Sequence, residues 1–242
     1  MAQLVKEEKN HSVEVLPVDE NVSEWECVLE QNRGGKREER RENAAVPPRS
    51  SILSPQLRLG FRMIVGFSEK DAEAIVRARG QRPFTSVADF TRRTKLGRAV
   101  VSRLARADAF GSLAQRDEKL TRRQAIWEAL SQEKKAQEMP LFDGLQEEDE
   151  PPLALPEMQT EEEVLADYAT TGLSLKAHPV SFYRKQLNEL GVATAEDLFD
   201  IANNTRICVA GIVLLRQRPS TAKGITFVTI EDETGTANLV VH

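Results

Sequence analysis

Apolar and polar residues recur at helical spacing in the stretch from Leu57 to Leu113. An apolar segment ends at Val65, Gly66 follows as a turn residue, and Ser68 is a suitable cap for a new helix. Gly80 stands where a left-handed residue commonly ends a helix. The apolar positions of the helix before it are Ala72, Ile75 and Val76. The pattern predicts a helix, a tight hairpin and a second helix.

The predicted hairpin is a candidate anion site. Its backbone amides, from Gly66 to Glu69, lie at the start of a helix, where partial positive charge attracts anions. Gly66 has no Cβ, so a phosphate can approach its backbone closely. The candidate nucleic-acid contacts of this hairpin are Val65, Gly66, Phe67, Ser68 and Lys70.

A second helical hairpin is predicted downstream. Residues 83–90 begin a short helix, residues 95–98 form a hairpin, and residues 100–109 continue as a helix, with Lys95, Gly97 and Arg98 as candidate contacts. From Leu57 to Leu113 there are twelve Lys and Arg residues against five Asp and Glu residues. This excess favours binding to a phosphate backbone without sequence preference. The alternative is two hairpins packed for stability, with an ordinary solvated basic face.

Strands and turns are predicted over residues 205–242. A long strand over residues 206–215 bends at Gly211, a basic loop over 216–224 follows, and two further strands cover 225–232 and 237–241. This order resembles the first three strands of an OB-fold, a five-stranded barrel that binds single-stranded nucleic acid. Three strands predict an open barrel with an unpaired edge. The candidate single-strand contacts are Arg216, Arg218, Lys223 and Phe227.

Residues 1–55 carry little core of their own. A helix is predicted over residues 2–10, and strands over 13–18 and 23–29, where Trp25, Cys27 and Leu29 share one side. We expect this piece to pack on another part of the chain. Residues 31–55 are charged and contain prolines, which is typical of a solvated linker. The alternative is a flexible arm that contacts DNA.

Helices are also predicted between the hairpins and the strands. One covers residues 117–137, a second begins with Thr160 as N-cap and ends at Tyr168, and a third ends at Leu190. The apolar members of the first are Leu120, Ile126, Trp127 and Leu130. His178, before a proline and without a second ligand nearby, is interpreted as a turn residue rather than a catalyst.

A short apolar cluster lies beside an acidic, proline-containing tract after the first of these helices. It resembles the sliding-clamp-binding peptides of bacterial DNA polymerases, although Glu138 stands where those peptides favour Leu. The alternative is a strand or loop that simply packs. The candidate clamp contacts are Gln137, Met139, Leu141 and Phe142.

The composition describes a globular chain with blocks of opposite charge. The 242 residues have a net charge of −5, yet Glu133 to Asp167 holds twelve acids against two lysines. The two cysteines, Cys27 and Cys208, have no ligand spacing, which favours a reduced cytoplasmic protein. No apolar run approaches the roughly 18 residues that span a bilayer, and the N-terminus lacks a signal-peptide core. We therefore expect no membrane partner.

Taken in order, these segments resemble the C-terminal third of bacterial C-family DNA polymerase α subunits, most closely the error-prone, damage-inducible type. The residues that carry the resemblance are 13–29, 57–113, 171–179, and the run 216–224 leading into 227–241. The hairpin around Gly66 resembles the helix-hairpin-helix module of DNA-binding proteins, with Ser68 in place of its second glycine. The implied fold is α+β, a tandem helix-hairpin-helix region followed by an incomplete OB-fold barrel. The implied division is a fingers-like end (1–30), a linker (31–55), the hairpins (56–113), a helix with acidic linker (114–152), connecting helices (153–204) and the start of the OB-fold (205–242).

The resemblance implies a role in DNA replication and translesion repair synthesis. In that family a palm domain holds two Mg²⁺ ions on carboxylates for nucleotidyl transfer, and no such cluster is recognisable in this sequence. We therefore expect a polymerase fragment that is inactive alone, without a catalytic residue, metal site or cofactor of its own. The implied partners are duplex DNA at the hairpins, single-stranded DNA at the OB region, the sliding clamp and other translesion polymerase subunits. The alternatives are a stand-alone DNA-binding or clamp-interacting module without chemistry, and an inactive gene remnant.

Overall fold

The computed structural model describes residues 13–31, 55–115, 118–136, 155–220 and 224–242. The chain divides into two compact units. The first holds residues 1–158 and 166–175, and the second holds residues 159–165 and 176–242. The predicted helix over residues 2–10 and nearly all of the predicted linker lie outside the described residues.

A small mixed sheet begins the first unit. Its central strand β3 (Pro55–Arg58) pairs in parallel with β1 (Glu14–Leu16) and antiparallel with β2 (Val28–Gln31). The prediction of a helix ending at Val65 is therefore wrong, because pairing on both sides holds residues 55–58 extended, and only one 3₁₀ turn, Phe61–Met63, follows. A Cβ on Gly60 would lie 2.4 Å from the backbone carbonyl oxygens of residues 25 and 26, so this approach needs glycine.

Four helices complete most of the first unit. They are α1 (Glu69–Arg79), α2 (Val87–Thr94), α3 (Arg98–Arg106) and α4 (Arg122–Ala136), and a two-residue hairpin of β4 (Ala114–Gln115) and β5 (Glu118–Lys119) precedes α4. The helix predicted over residues 117–137 thus starts later, since residues 118–119 pair as a strand. Gly80 is right-handed (φ −55°), not left-handed as predicted, although its amide still closes α1 on the carbonyl of Val76.

The core of the first unit joins the N-terminal segment to the hairpins. The ring of Phe90 packs edge-on against those of Phe84 and Phe110, with centroids 4.9 and 5.1 Å apart, a favourable aromatic geometry. Val18, Trp25 and Cys27 pack into the same core, which confirms that residues 13–29 pack on another part of the chain. Leu29 is exposed, although it was predicted to share a side with Trp25 and Cys27. Trp127 and Leu130, predicted as apolar members of α4, are also exposed, and this helix buries Ala125 and Ala129 instead.

One more helix lies between residues 155 and 175. It is α5 (Thr160–Thr171), and its first turn is closed by Gln159, whose carbonyl accepts from the amide of Glu163 at 3.0 Å. The side chain of Glu162 accepts from the amide of Gln159 at 3.1 Å. The cap therefore lies one residue before the predicted Thr160.

An antiparallel meander dominates the second unit. Strands β8 (Ile212–Gln217), β9 (Thr226–Glu231) and β10 (Thr236–Val241) lie in the order β10-β9-β8, and β7 (Cys208–Val209) pairs in parallel with β6 (Val192–Ala193). The predicted strand over 206–215 is therefore two strands. It changes partner at Gly211, where a Cβ would lie 2.5 Å from the carbonyl oxygen of Glu231, so the predicted bend is confirmed. The fold is α+β with sheets that do not close, consistent with an incomplete OB-like fold.

The second unit has a smaller core, fixed by a buried carboxylate. Ile230, Ala237 and Ala195 are buried together, and α6 (Arg184–Glu189) follows the 3₁₀ turn Pro179–Tyr183. The Asp232 carboxylate accepts hydrogen bonds from the amides of Ala195, Thr234 and Gly235 at 2.8–3.0 Å and from Nη2 of Arg184 at 3.2 Å. Burial would raise the pKa of Asp232, but hydrogen bonds from the Thr234 hydroxyl and from the three amides outweigh burial and lower that pKa.

Candidate nucleic-acid interface

The first hairpin, residues 64–68, leaves backbone donors available. Gly66 adopts φ +72°, a left-handed conformation that favours glycine. Ile64 and Phe67 are buried on either side of it, while Val65 is 65% exposed. Ser68 caps α1, because its hydroxyl accepts from the amide of Asp71 at 3.3 Å, and the predicted cap is confirmed. The geometry anchors the hairpin by two apolar side chains and turns its tip outward.

Two amides of the hairpin, including that of Phe67 from the predicted set, are not available. The amide of Val65 donates to the carbonyl of Thr170 at 2.8 Å, and that of Phe67 donates to Ile64 at 3.1 Å. Within the described part of the chain, the amides of residues 66, 68, 69 and 70 have no acceptor. These four donors at the N-terminus of an eleven-residue helix are called the Gly66 cradle below. Unsatisfied amides at such a position are able to bind an anion.

Arg103 from α3 lies at this hairpin, although sequence analysis did not select it. A Cβ placed on Gly66 would lie 3.7 Å from Nε of Arg103 and 3.9 Å from its Nη2. Lys70 is exposed in the first turn of α1. The carboxylates of Glu69 and Asp71 lie in the same turn, and Asp71 accepts from the Ser68 hydroxyl at 2.8 Å. The site therefore combines amides with two cations and two carboxylates.

The second hairpin, residues 95–97, joins α2 to α3 as a complete helix-hairpin-helix, as predicted. Lys95 closes α2 in the left-handed region with φ 55°, and Gly97 begins α3 without a side-chain cap. A Cβ on Gly97 would meet no atom within 4 Å. This tip is therefore open, with Lys95 and Arg98 exposed beside it.

Carboxylates neutralise many of the arginines around the hairpins. Asp89, 5% exposed, pairs with Arg82, Arg92 and Arg93 at 2.7–3.1 Å. Arg58, Arg62 and Arg79 pair with Glu30, Glu26 and Glu24. Among the described residues, no ion pair is made by Lys70, Arg77, Lys95, Arg103 or Arg106. The charge available to a phosphate backbone is accordingly smaller than the sequence count indicated.

One face of the meander in the second unit presents an aromatic ring. Phe227 is 43% exposed and pairs across the strands with Val240 on one side and Gln217 on the other. Directly paired residues share a face of the sheet, so Phe227 and Val240 form an exposed apolar patch. Arg216 and Arg218 are exposed in the adjoining strand end and loop, and Lys223 lies outside the described residues.

Other predicted sites have less structural support. The clamp residues Gln137, Met139, Leu141 and Phe142 lie outside the described residues and stay a prediction. His178 caps the 3₁₀ turn, its Nδ1 accepting from the amide of Val180 at 3.2 Å, as a turn residue would. In the described ranges no three His, Cys, Asp or Glu residues form a group able to hold a metal ion, and no helix is long and apolar enough to cross a membrane.

The hairpins and their cradle define a helix-hairpin-helix module, and the helix-hairpin-helix motif family matches residues 12–125. Relatives of the chain include error-prone DNA polymerases. Those of Sinorhizobium medicae, Rhodopirellula baltica and Caulobacter vibrioides are each 44% identical to it, across 99% of this chain and 21%, 19% and 22% of their own lengths. The chain is therefore homologous, over nearly all of its length, to one segment of the error-prone DNA polymerases, and it spans about a fifth of these relatives.

Proposed function

We propose that this chain is a DNA-holding segment of an error-prone DNA polymerase acting in replication and translesion repair synthesis. It binds duplex DNA through the two hairpins, without sequence preference. The observation that carries the proposal is the presence at one hairpin of four acceptor-free amides, with Arg103 beside Gly66 and Lys70 exposed in the first turn of α1. Nucleotidyl transfer with Mg²⁺ belongs, in this proposal, to another part of a longer polymerase.

The exposed face around Phe227 is the second contact of the proposed function. An exposed ring beside arginines suits single-stranded nucleic acid, because bases stack on aromatic rings while cations follow the backbone. Phe227, Val240 and Arg216 would then hold an unpaired strand. The proposal gives the two units different substrates, duplex for the first and single strand for the second.

Fluorescence anisotropy of a labelled duplex tests the hairpin contact. If Lys70, Lys95 and Arg103 each contact one phosphate, the slope of log K against log salt is about −3, and Kd near physiological salt is about 10⁻⁴ to 10⁻⁶ M. Gly66→Val should weaken binding more than Lys70→Ala, since a β-branched residue at φ +72° distorts the whole cradle. Arg103→Ala should also weaken binding without altering the backbone.

Lys185→Ala, which removes an exposed lysine from α6, is the control for a general loss of charge. Thermal melting of each variant separates lost contacts from lost fold. Affinity that is the same at low and high salt, or equal for Arg103→Ala and Lys185→Ala, would contradict the proposed contact.

A further inference from the structure

A buried acid in the N-terminal segment is not part of the DNA interface. Glu20 is fully buried, in a turn from Asp19 to Ser23. Its Oε1 accepts from Nδ2 of Asn21 at 2.9 Å and from the Ser112 hydroxyl at 2.8 Å. Its Oε2 is buried without a hydrogen-bond partner among the described residues. An ionised carboxylate is poorly stabilised in such a place.

The charged groups around Glu20 do not compensate for its burial. Asp19 is adjacent, and its Oδ1 shares the Ser112 hydroxyl at 3.1 Å. Arg79 of α1 is the facing cation, but its guanidinium donates to the carbonyls of Glu20 and Ser23 and pairs with Glu24. Burial is the main cause and the negative charge of Asp19 the second cause that raise the pKa of Glu20, which is about 8.

This turn holds the N-terminal segment on the helices. The amide of Glu20 donates to the carbonyl of Ala109 at 3.0 Å. The side-chain amide of Asn21 exchanges two hydrogen bonds with the backbone of Phe84, at 2.6 and 3.1 Å. The Ser23 hydroxyl donates to the carbonyl of Leu59 at 2.7 Å. Loss of the turn would therefore free the segment at three places.

The same segment supports the first hairpin. The carbonyls of Glu24 and Trp25, directly after the turn, accept from the amides of Phe61 and Arg62 at 2.9 and 3.1 Å. These bonds fix the 3₁₀ turn that ends one residue before Ile64. The turn that contains Glu20 is thus connected to the Gly66 cradle by a few backbone hydrogen bonds.

We propose that the Asp19–Ser23 turn is a proton-dependent clasp. With Glu20 neutral the turn stays seated on the helices, and ionisation of Glu20 releases it and loosens the first hairpin. The effect on the hairpin's grip on DNA rests on the proposed function, whereas the clasp itself does not. As pH rises from 6 to 8, the population of the open state relative to the closed state grows by roughly 50-fold, and it levels off above about pH 8.

Hydrogen exchange between pH 6 and 9, corrected for the intrinsic rate, tests the clasp. In the wild type, opening of residues 13–31 and 59–64 should rise by roughly 50-fold from pH 6 to 8. Glu20→Gln, which keeps the shape but cannot ionise, should abolish this rise. Glu24→Gln, an exposed neighbour, should retain it. A rise that persists in Glu20→Gln, or is absent from the wild type, would overturn the proposal.

A measurement on the wild type alone keeps the test decisive if Glu20→Gln folds poorly. An NMR titration of wild-type protein with ¹³C-labelled glutamate should place the Glu20 carboxyl near pH 8, and a midpoint near 4.5 would overturn the clasp. Duplex affinity at constant salt should fall between pH 6 and 8 in the wild type but not in Glu20→Gln. If exchange behaves as expected but duplex affinity does not change with pH, only the link between the turn and DNA binding is overturned. If no DNA binding is found at any pH, the proposed function is overturned while the clasp stands.

Discussion

Replacing Asp89 by Asn should lower stability and raise DNA affinity together. Asp89 is nearly buried in α2 and neutralises three arginines at once. Burial would raise its pKa, but hydrogen bonds from Arg93 and Arg92 outweigh burial and lower that pKa. The carboxylate is therefore ionised at neutral pH, and its contribution is lost only as pH falls below the ordinary Asp range. Asn keeps the shape of the side chain and removes the charge.

The expected loss in the free energy of unfolding follows from how exposed the three arginine partners are. Arg93 is 11% exposed, whereas Arg82 and Arg92 are 52% and 73% exposed. An exposed pair contributes at most about 1 kcal/mol, and breaking a buried one costs about 3–5 kcal/mol. Arg93 keeps a hydrogen bond to the carbonyl of Arg82 at 2.7 Å and a place over the ring of Phe84. We expect Asp89→Asn to lower the free energy of unfolding by about 3 kcal/mol.

The affinity for duplex DNA should rise, whereas the stability falls. Arg82 and Arg92 lose their carboxylate partner and become available to phosphates, and each new contact steepens the salt slope by about 0.9. Denaturant unfolding and duplex anisotropy across a salt series measure the two effects. Asp200→Asn changes the net charge equally at an exposed position of the second unit and is the matched control. An unchanged salt slope with reduced stability would refute the idea that Asp89 withholds charge from DNA.

Two changes in the second unit test its fold and its contact separately. Asp232→Ala should destabilise that unit by about 3–5 kcal/mol, because three amides lose their acceptor and Arg184 keeps only Glu233 as a carboxylate partner. Denaturant unfolding followed by hydrogen exchange over residues 192–242 measures this loss, and exchange that matches the wild type would contradict it. Phe227→Ala should weaken single-strand binding by about 1–3 kcal/mol and leave duplex binding unchanged. Phe199→Ala, an 87% exposed ring elsewhere in the unit, is the control, and equal losses for both variants would count against stacking on Phe227.

Local signals in the sequence were enough to predict the parts of the fold that depend on neighbouring residues. The Ser68 cap, the turn at Gly66 and the strand bend at Gly211 are examples. The error over residues 55–65 arose because β3 is held by two strands distant in sequence, and such pairing overrides helical spacing. The alternation of the apolar residues Leu57, Leu59 and Phe61 with Arg58 and Gly60 was the available sequence signal for an extended chain.

The candidate site was harder to predict because its key relationships are long-range. No spacing rule places Arg103 at Gly66, or Glu20 beside Ser112. The Asp89 cluster was partly visible, since Asp89 lies three and four residues before Arg92 and Arg93 on one helix. A count of charges treats all such residues as solvated, whereas the fold decides which of them remain available.

This distinction bears on how firmly the segment holds DNA. Twelve basic residues would release many counterions, but pairing leaves five without an ion-pair partner in the described residues, and Glu69 and Asp71 lie beside one cradle. A few phosphate contacts give weak binding that falls steeply with salt and does not depend on sequence. We expect such a grip to let duplex DNA slide past the hairpins. Tight binding then requires further contacts, for which the exposed face at Phe227 is the candidate within this chain.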